Sequence, residues 1–138
     1  MKRADLAMRP PEDVGYVRPP PDECEEYTFT LDPSGGDMTV ERVKIRMVTH
    51  VPTWGLAEFA VIQETRSRGG WCIVAMADSS HAEEVHVHRY GRVAGERVGE
   101  PEQLMPIADM GDVGDGYDRA YQVIVDAWEA NKRRWSHA

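Results

Sequence analysis

Three of the five histidines fall within eight residues of one another: His81, His86 and His88. Imidazole titrates near neutral pH, moves protons and binds metals, so such a cluster is the first place to look for chemistry. The segment reads Asp78-Ser79-Ser80-His81-Ala82-Glu83-Glu84-Val85-His86-Val87-His88-Arg89-Tyr90. Val85 and Val87 alternate with polar residues, the pattern of a half-buried strand. A spacing of two on a strand projects Glu84, His86, His88 and Tyr90 from one face. Asp78 and His81 belong to the preceding connection and can fold over that edge.

Three uses of this cluster compete. A metal site would take His81, His86 and His88, with Asp78 as an alternative third ligand. Metal-independent acid–base chemistry would use His86 and His88 as proton donor and acceptor. In that case Arg46, Lys44 or Arg42 on a neighbouring strand would hold a phosphate, and Tyr90 would position a hydroxyl. Such a set suits cleavage of RNA through the 2′-hydroxyl. The third use is structural: histidine is tolerated on the solvent face of a strand, Glu84 is its neighbour, and Asp78 fixes its loop through an Asx turn. An H-x-H pair alone does not decide among them. The catalytic candidates are therefore His86, His88, Arg46 and Tyr90. The binding candidates are Asp78, His81, Glu84, Arg42 and Lys44. No cofactor is expected, a divalent metal on the three histidines being the minor alternative.

Other patterns carry less. Asp109, Asp112, Asp115 and Asp118 recur every third residue among Gly111, Gly114 and Gly116. A calcium-binding EF-hand needs acids at alternate positions and a closing Glu, so these residues read as an acidic loop ending in a helix cap. Cys24 and Cys72 form no C-x-x-C pair, and no G-x-S-x-G elbow is present.

The elements that must position the histidines follow from periodicity. Residues 1–22 hold five of the nine prolines and no hydrophobic period, which predicts an extended, flexible arm. Alternation then predicts strands carrying Tyr27, Phe29 and Leu31, then Val43, Ile45 and Met47, then Phe59, Val61 and Ile62. In the second of these, Arg42, Lys44 and Arg46 face away from the core. Trp71 to Ala77 is apolar on both faces and reads as a central strand covered on both sides. Residues 99–116 read as irregular, with a one-turn helix at Pro101. A long helix capped by Asp115 then presents the stripe Tyr117, Ala120, Tyr121, Ile124, Ala127, Trp128 and Trp135, with Trp135 partly exposed. The fold class is α+β: an antiparallel meander of about five strands with one long C-terminal helix packed on one face. The arm is 1–22 and the single domain 23–138.

The chain has 138 residues and a formal net charge of −8, one domain's worth of sequence. No apolar run approaches the ~20 residues of a membrane span, and the N-terminus lacks the apolar core of a secretory signal. A cytoplasmic protein with no membrane partner is expected. The negative balance argues against generic DNA binding. It is uneven, however: residues 96–118 hold seven acids and one base, Arg97. The stripe Arg42, Lys44, Arg46 leaves room for a local phosphate site and an RNA partner. Thirteen Arg against three Lys fits a GC-rich genome such as that of an actinobacterium or its phage.

The stretch from Trp71 to Gly91, with Trp71, Val74, Asp78, His81, His86, His88 and Gly91, and later Trp128, resembles small bacterial proteins related to the TumE-type toxin–antitoxin family. The resemblance implies a toxin–antitoxin-like or mobile-element protein and supplies no catalytic residues. The leading expectation is a small intracellular binding or regulatory protein that acts through protein–protein contact, with a protein partner or as a homo-oligomer. The alternative is a metal-independent, ribonuclease-like enzyme using His86 and His88 with a nearby Arg as phosphate anchor.

Overall fold

A computed structural model describes residues 16–36, 38–80, 83–93 and 96–138. Six strands form one antiparallel sheet in chain order: β1 (Cys24–Leu31), β2 (Glu41–His50), β3 (Gly55–Ser67), β4 (Gly70–Asp78), β5 (Glu84–Arg89) and β6 (Glu102–Pro106). Two helices follow, α1 (Met110–Tyr121) and α2 (Trp128–His137), joined by a π-helical turn over Gln122–Asp126. The α+β meander is as expected in outline. It has six strands in place of about five, and its C-terminal helix is interrupted.

The period-two pattern sorts each strand into two faces. Val43 and Ile45 of β2, Phe59 and Val61 of β3, Ala75 and Ala77 of β4, and Val85 and Val87 of β5 are all buried. The pairings Ile45↔Val61↔Ala77↔Val87 put them in one row on the face that the helices cover. The helices contribute Val113, Ala120, Ile124 and Trp135 to the same core. Trp135 is only 5% exposed, so the expected partly exposed end of the helix is a buried anchor.

The sixth strand and the helix start correct the reading of residues 99–116 as irregular. Pro101 precedes a strand, and α1 begins at Met110. Its cap is Asp109, whose side chain accepts from the Asp112 N–H at 3.0 Å, while Asp112 in turn accepts from the Ala108 N–H at 2.8 Å. Asp115 lies inside the helix and is exposed. Glycine costs roughly 1 kcal/mol in a helix relative to alanine, which is why Gly111, Gly114 and Gly116 read as loop. Packing overrides that cost at Gly116: a Cβ there would sit 2.6 Å from Val85 Cγ2. The glycine lets α1 lie directly on β5.

The π turn shifts the helical hydrogen-bond pattern, and a buried polar pair closes it. Asn131 Nδ2 donates to the Val123 carbonyl at 2.9 Å and to Gln63 Oε1 at 3.1 Å. Gln63 Nε2 donates to the Trp128 carbonyl at 2.9 Å. Gln63 and Asn131 are both buried, so β3 is tied to both sides of the interruption.

Of the expected arm, residues 1–15 lie outside the described residues. Residues 16–20 have no regular structure and lie against the sheet through Tyr16 and Arg18. Tyr16 is buried and donates its hydroxyl to the Ala57 carbonyl at 2.9 Å; burial pushes its phenol above the usual range. Arg18 pairs with Glu58 at 3.1 Å and donates to the carbonyls of Ser79 and Ser80. No described helix is long and apolar enough to cross a membrane.

Candidate functional site

The second face of the sheet carries the candidate residues. The register sets Thr28, Arg46, Ala60, Asp78, His86 and Gln103 in one row across all six strands. The adjacent row is Thr30, Lys44, Ile62, Met76 and His88. Ile73 and Met76 of β4 are half-buried here, and no second layer of described elements packs across them. The expected double coverage of β4 is thus met on the helix side alone among the described residues.

Asp78 and His86 are direct cross-strand partners, which brings their Cβ atoms to about 5 Å. Asp78 is buried and Ser80 N–H points at its Oδ1 at 3.5 Å, the expected Asx-type geometry. His86 Nε2 meets Glu84 Oε1 at 2.9 Å. The His86 and His88 rings lie 6.1 Å apart, and His88 is only 4% exposed. His81 lies outside the described residues. Among the described residues no three His, Cys, Asp or Glu side chains come together as a metal site.

Glu84, His86 and His88 line a cleft of about 490 Å³, with Glu83, Arg97 and Pro101 completing its walls. Arg97 is the residue that sequence reasoning missed. It is brought to the cleft by its bridge to Tyr90 and by the Val98 N–H bond to the Arg89 carbonyl at 2.7 Å. The signal was present as the single base in the acidic stretch 96–118. Tyr90 is half-buried against the core and is not part of the cleft wall.

The basic stripe is on the histidine face but apart from the cleft. Arg46 and His86 share a row three strands apart, roughly 14 Å at the usual strand spacing. Arg46 pairs with Glu58 at 2.7 Å and Glu26 at 3.1 Å. These hydrogen bonds, Glu58 first, raise its pKa further. Arg42 and Lys44 both pair with Glu64, at 2.7 and 3.7 Å. Arg42 also stacks on Trp71, its guanidinium carbon 3.8 Å from the ring centroid. The stripe is thus neutralised by acids of β1 and β3, and the structure unites Asp78, Glu84, His86 and His88 while leaving Arg42, Lys44 and Arg46 in ion pairs elsewhere.

Comparison of the chain with protein-family models, curated proteins and solved structures gives no match. The geometry of the chain is therefore the ground for its function.

One further region stands out by its exposure. Tyr27 and Phe29 of β1 lie on the helix-covered side of the sheet, opposite Met47 and Ile45, yet are 50% and 43% exposed. Among the described residues the helices make their main contacts with β3 to β6 and reach β2 at Glu41 through Lys132, leaving these two β1 side chains exposed.

Proposed function

We propose that the chain is a small binding or regulatory module that acts through protein–protein contact, with the outer edge of β1 as its contact surface. The observation that carries this reading is an eight-residue edge strand with no bulge in its ladder to β2 and two exposed aromatic residues. Soluble proteins usually blunt such edges with lysine, proline, bulges or short length, because an open edge recruits another strand. β1 contains no lysine, arginine or proline, and its charges, Glu25 and Glu26, are confined to its first three residues, leaving Tyr27 to Leu31 uncharged. The toxin–antitoxin-like resemblance belongs to the same proposal. The test is recovery of complexes from cells that make the full chain. The wild type retains a partner and Thr28→Pro loses it; equal recovery with both removes β1 as the contact. Growth arrest on expression of the chain checks the toxin-like version.

A second reading is favoured by Arg97. With His86 paired to Glu84, His88 beside it and a guanidinium on the same wall, the cleft holds the parts of a metal-independent RNA-cleaving site. Arg97, rather than Arg46, is its phosphate anchor. Purified protein would cut a model RNA in the presence of a chelator. Both His86→Ala and Arg97→Ala would slow that cutting at least tenfold with little change in melting temperature. RNA left intact over a wide dose range ends this reading.

A further inference from the structure

We infer that the partner of the β1 edge is a second copy of this chain, the two β1 strands pairing antiparallel about a two-fold axis at Thr28; this rests on the proposed use of β1 as the contact surface. The main-chain polarity of the edge is fixed by the ladder on its inner side. The Val51 N–H donates to the Glu23 carbonyl at 2.9 Å, and the register from Cys24↔His50 to Leu31↔Val43 is unbroken. Odd-numbered residues of β1 therefore turn their N–H and C=O toward β2, and Glu26, Thr28 and Thr30 turn theirs outward.

An antiparallel strand can meet its own copy only in registers that keep side chains on their proper faces, because a one-residue slip flips every one of them. With Thr28 on the axis, Thr28 faces Thr28 of the second copy as a hydrogen-bonded pair. Glu26 then faces Thr30 and Glu25 faces Leu31, so no two carboxylates oppose each other. Tyr27 faces Phe29 twice, in the close, non-hydrogen-bonded positions where side chains approach most nearly. The two exposed aromatics of each chain thereby cover those of the other. Placing Glu26 on the axis would set like charges face to face. The product is one continuous twelve-stranded sheet with a closed two-fold interface.

The other sheet edge offers no such pairing. β6 has five residues, a bulge in its ladder at Val85/His86, and Pro106 at its end. Proline and a bulge each interrupt strand addition. Self-association through β1 therefore closes at two copies and does not propagate.

Light scattering on the full chain across a wide concentration range should show the 15.6 kDa monomer giving way to a species of twice that mass. Thr28→Pro removes an outward N–H and leaves the inner ladder intact, so it should weaken dimerisation at least tenfold while the melting temperature of the dilute protein stays nearly unchanged. In a background of Cys24→Ser and Cys72→Ser, Thr28→Cys should form a disulfide-linked dimer on mild oxidation, since paired Cα atoms lie near disulfide range. Thr30→Cys, displaced along the strand from its own copy, should not. A strictly monomeric chain at high concentration, or equal cross-linking by both cysteine variants, overturns the inference. If that monomer still binds a different protein and loses it with Thr28→Pro, only the second-copy assignment fails. If Thr28→Pro changes no binding at all, the contact surface itself is refuted.

Discussion

The two faces of the sheet are built from the same strands by simple alternation, yet they do different work. The helix-side face buries Val43, Ile45, Phe59, Val61, Val85 and Val87 under α1 and α2 and joins the layers through Gln63 and Asn131. The opposite face holds ion pairs, a histidine cleft and half-buried Ile73 and Met76. Burial of apolar area scales with stability, whereas partly exposed charge pairs contribute little. Stability should thus reside on one face, and the other is free to carry contacts or chemistry. The contrast is testable by placing matched substitutions on each side.

The largest effect is expected at the centre of the covered face. Phe59 is fully buried and meets Tyr117 edge-on at 5.7 Å between centroids. Phe59→Ala should cost about 3–5 kcal/mol in urea denaturation, from lost transfer energy and the cavity left behind. A cost below about 1 kcal/mol would show that the helix layer is not the stabilising one.

Gly116→Ala comes next. Helix propensity alone predicts a gain of roughly 1 kcal/mol, whereas the contact with Val85 predicts a net loss of about 1–3 kcal/mol. The sign of the change in midpoint separates the two. Asn131→Ala should cost about 1–3 kcal/mol, since it strands the Val123 carbonyl and Gln63 in the interior. Hydrogen exchange should then speed up in α2.

On the opposite face, Arg46→Ala should cost no more than about 1 kcal/mol, because Glu26 is exposed and Glu58 keeps its pair with Arg18. Adding salt should shrink even that difference. A loss as large as that of Phe59→Ala would erase the contrast between the faces.

Alkaline pH sharpens the same comparison. Burial raises the Tyr16 and Tyr117 phenols above their ordinary value of about 10. The folded state holds these protons more tightly than the unfolded one, so stability is full below pH 10 and falls as pH rises past the unfolded value toward the folded one. Tyr117→Phe should flatten that decline in a stability-against-pH series.

Much of this arrangement was legible in the chain. Alternation along β2 assigned Val43 and Ile45 inward and Arg42, Lys44 and Arg46 outward, because the side-chain period of a strand is local. The same logic put Glu84, His86 and His88 on one face. Helical spacing marked Ala120, Ile124 and Trp135 as a stripe, though the terminal Trp135 looked exposed until the sheet was in place. The acidic, glycine-rich stretch misled: β6 is favoured by its ladder to β5, and helix through Gly111, Gly114 and Gly116 by packing on β5, neither of which a local pattern encodes.

The sequence by itself determined which side chains share a face within the strands, since that follows from backbone geometry residue by residue; Tyr90, just past the end of β5, is the exception. Only the tertiary structure decided the distances between them. Strand order and register set Arg46 three strands from His86, paired Asp78 with His86, and folded Arg97 back through its bridge to Tyr90 onto the cleft wall. These are relations between separate strands and loops, near or distant in sequence, fixed by which hydrogen-bond ladders form and which apolar faces they bury together. The same is true of β1, whose pattern was plain but whose exposure among the described residues appeared only when the helices settled mainly over β3 to β6.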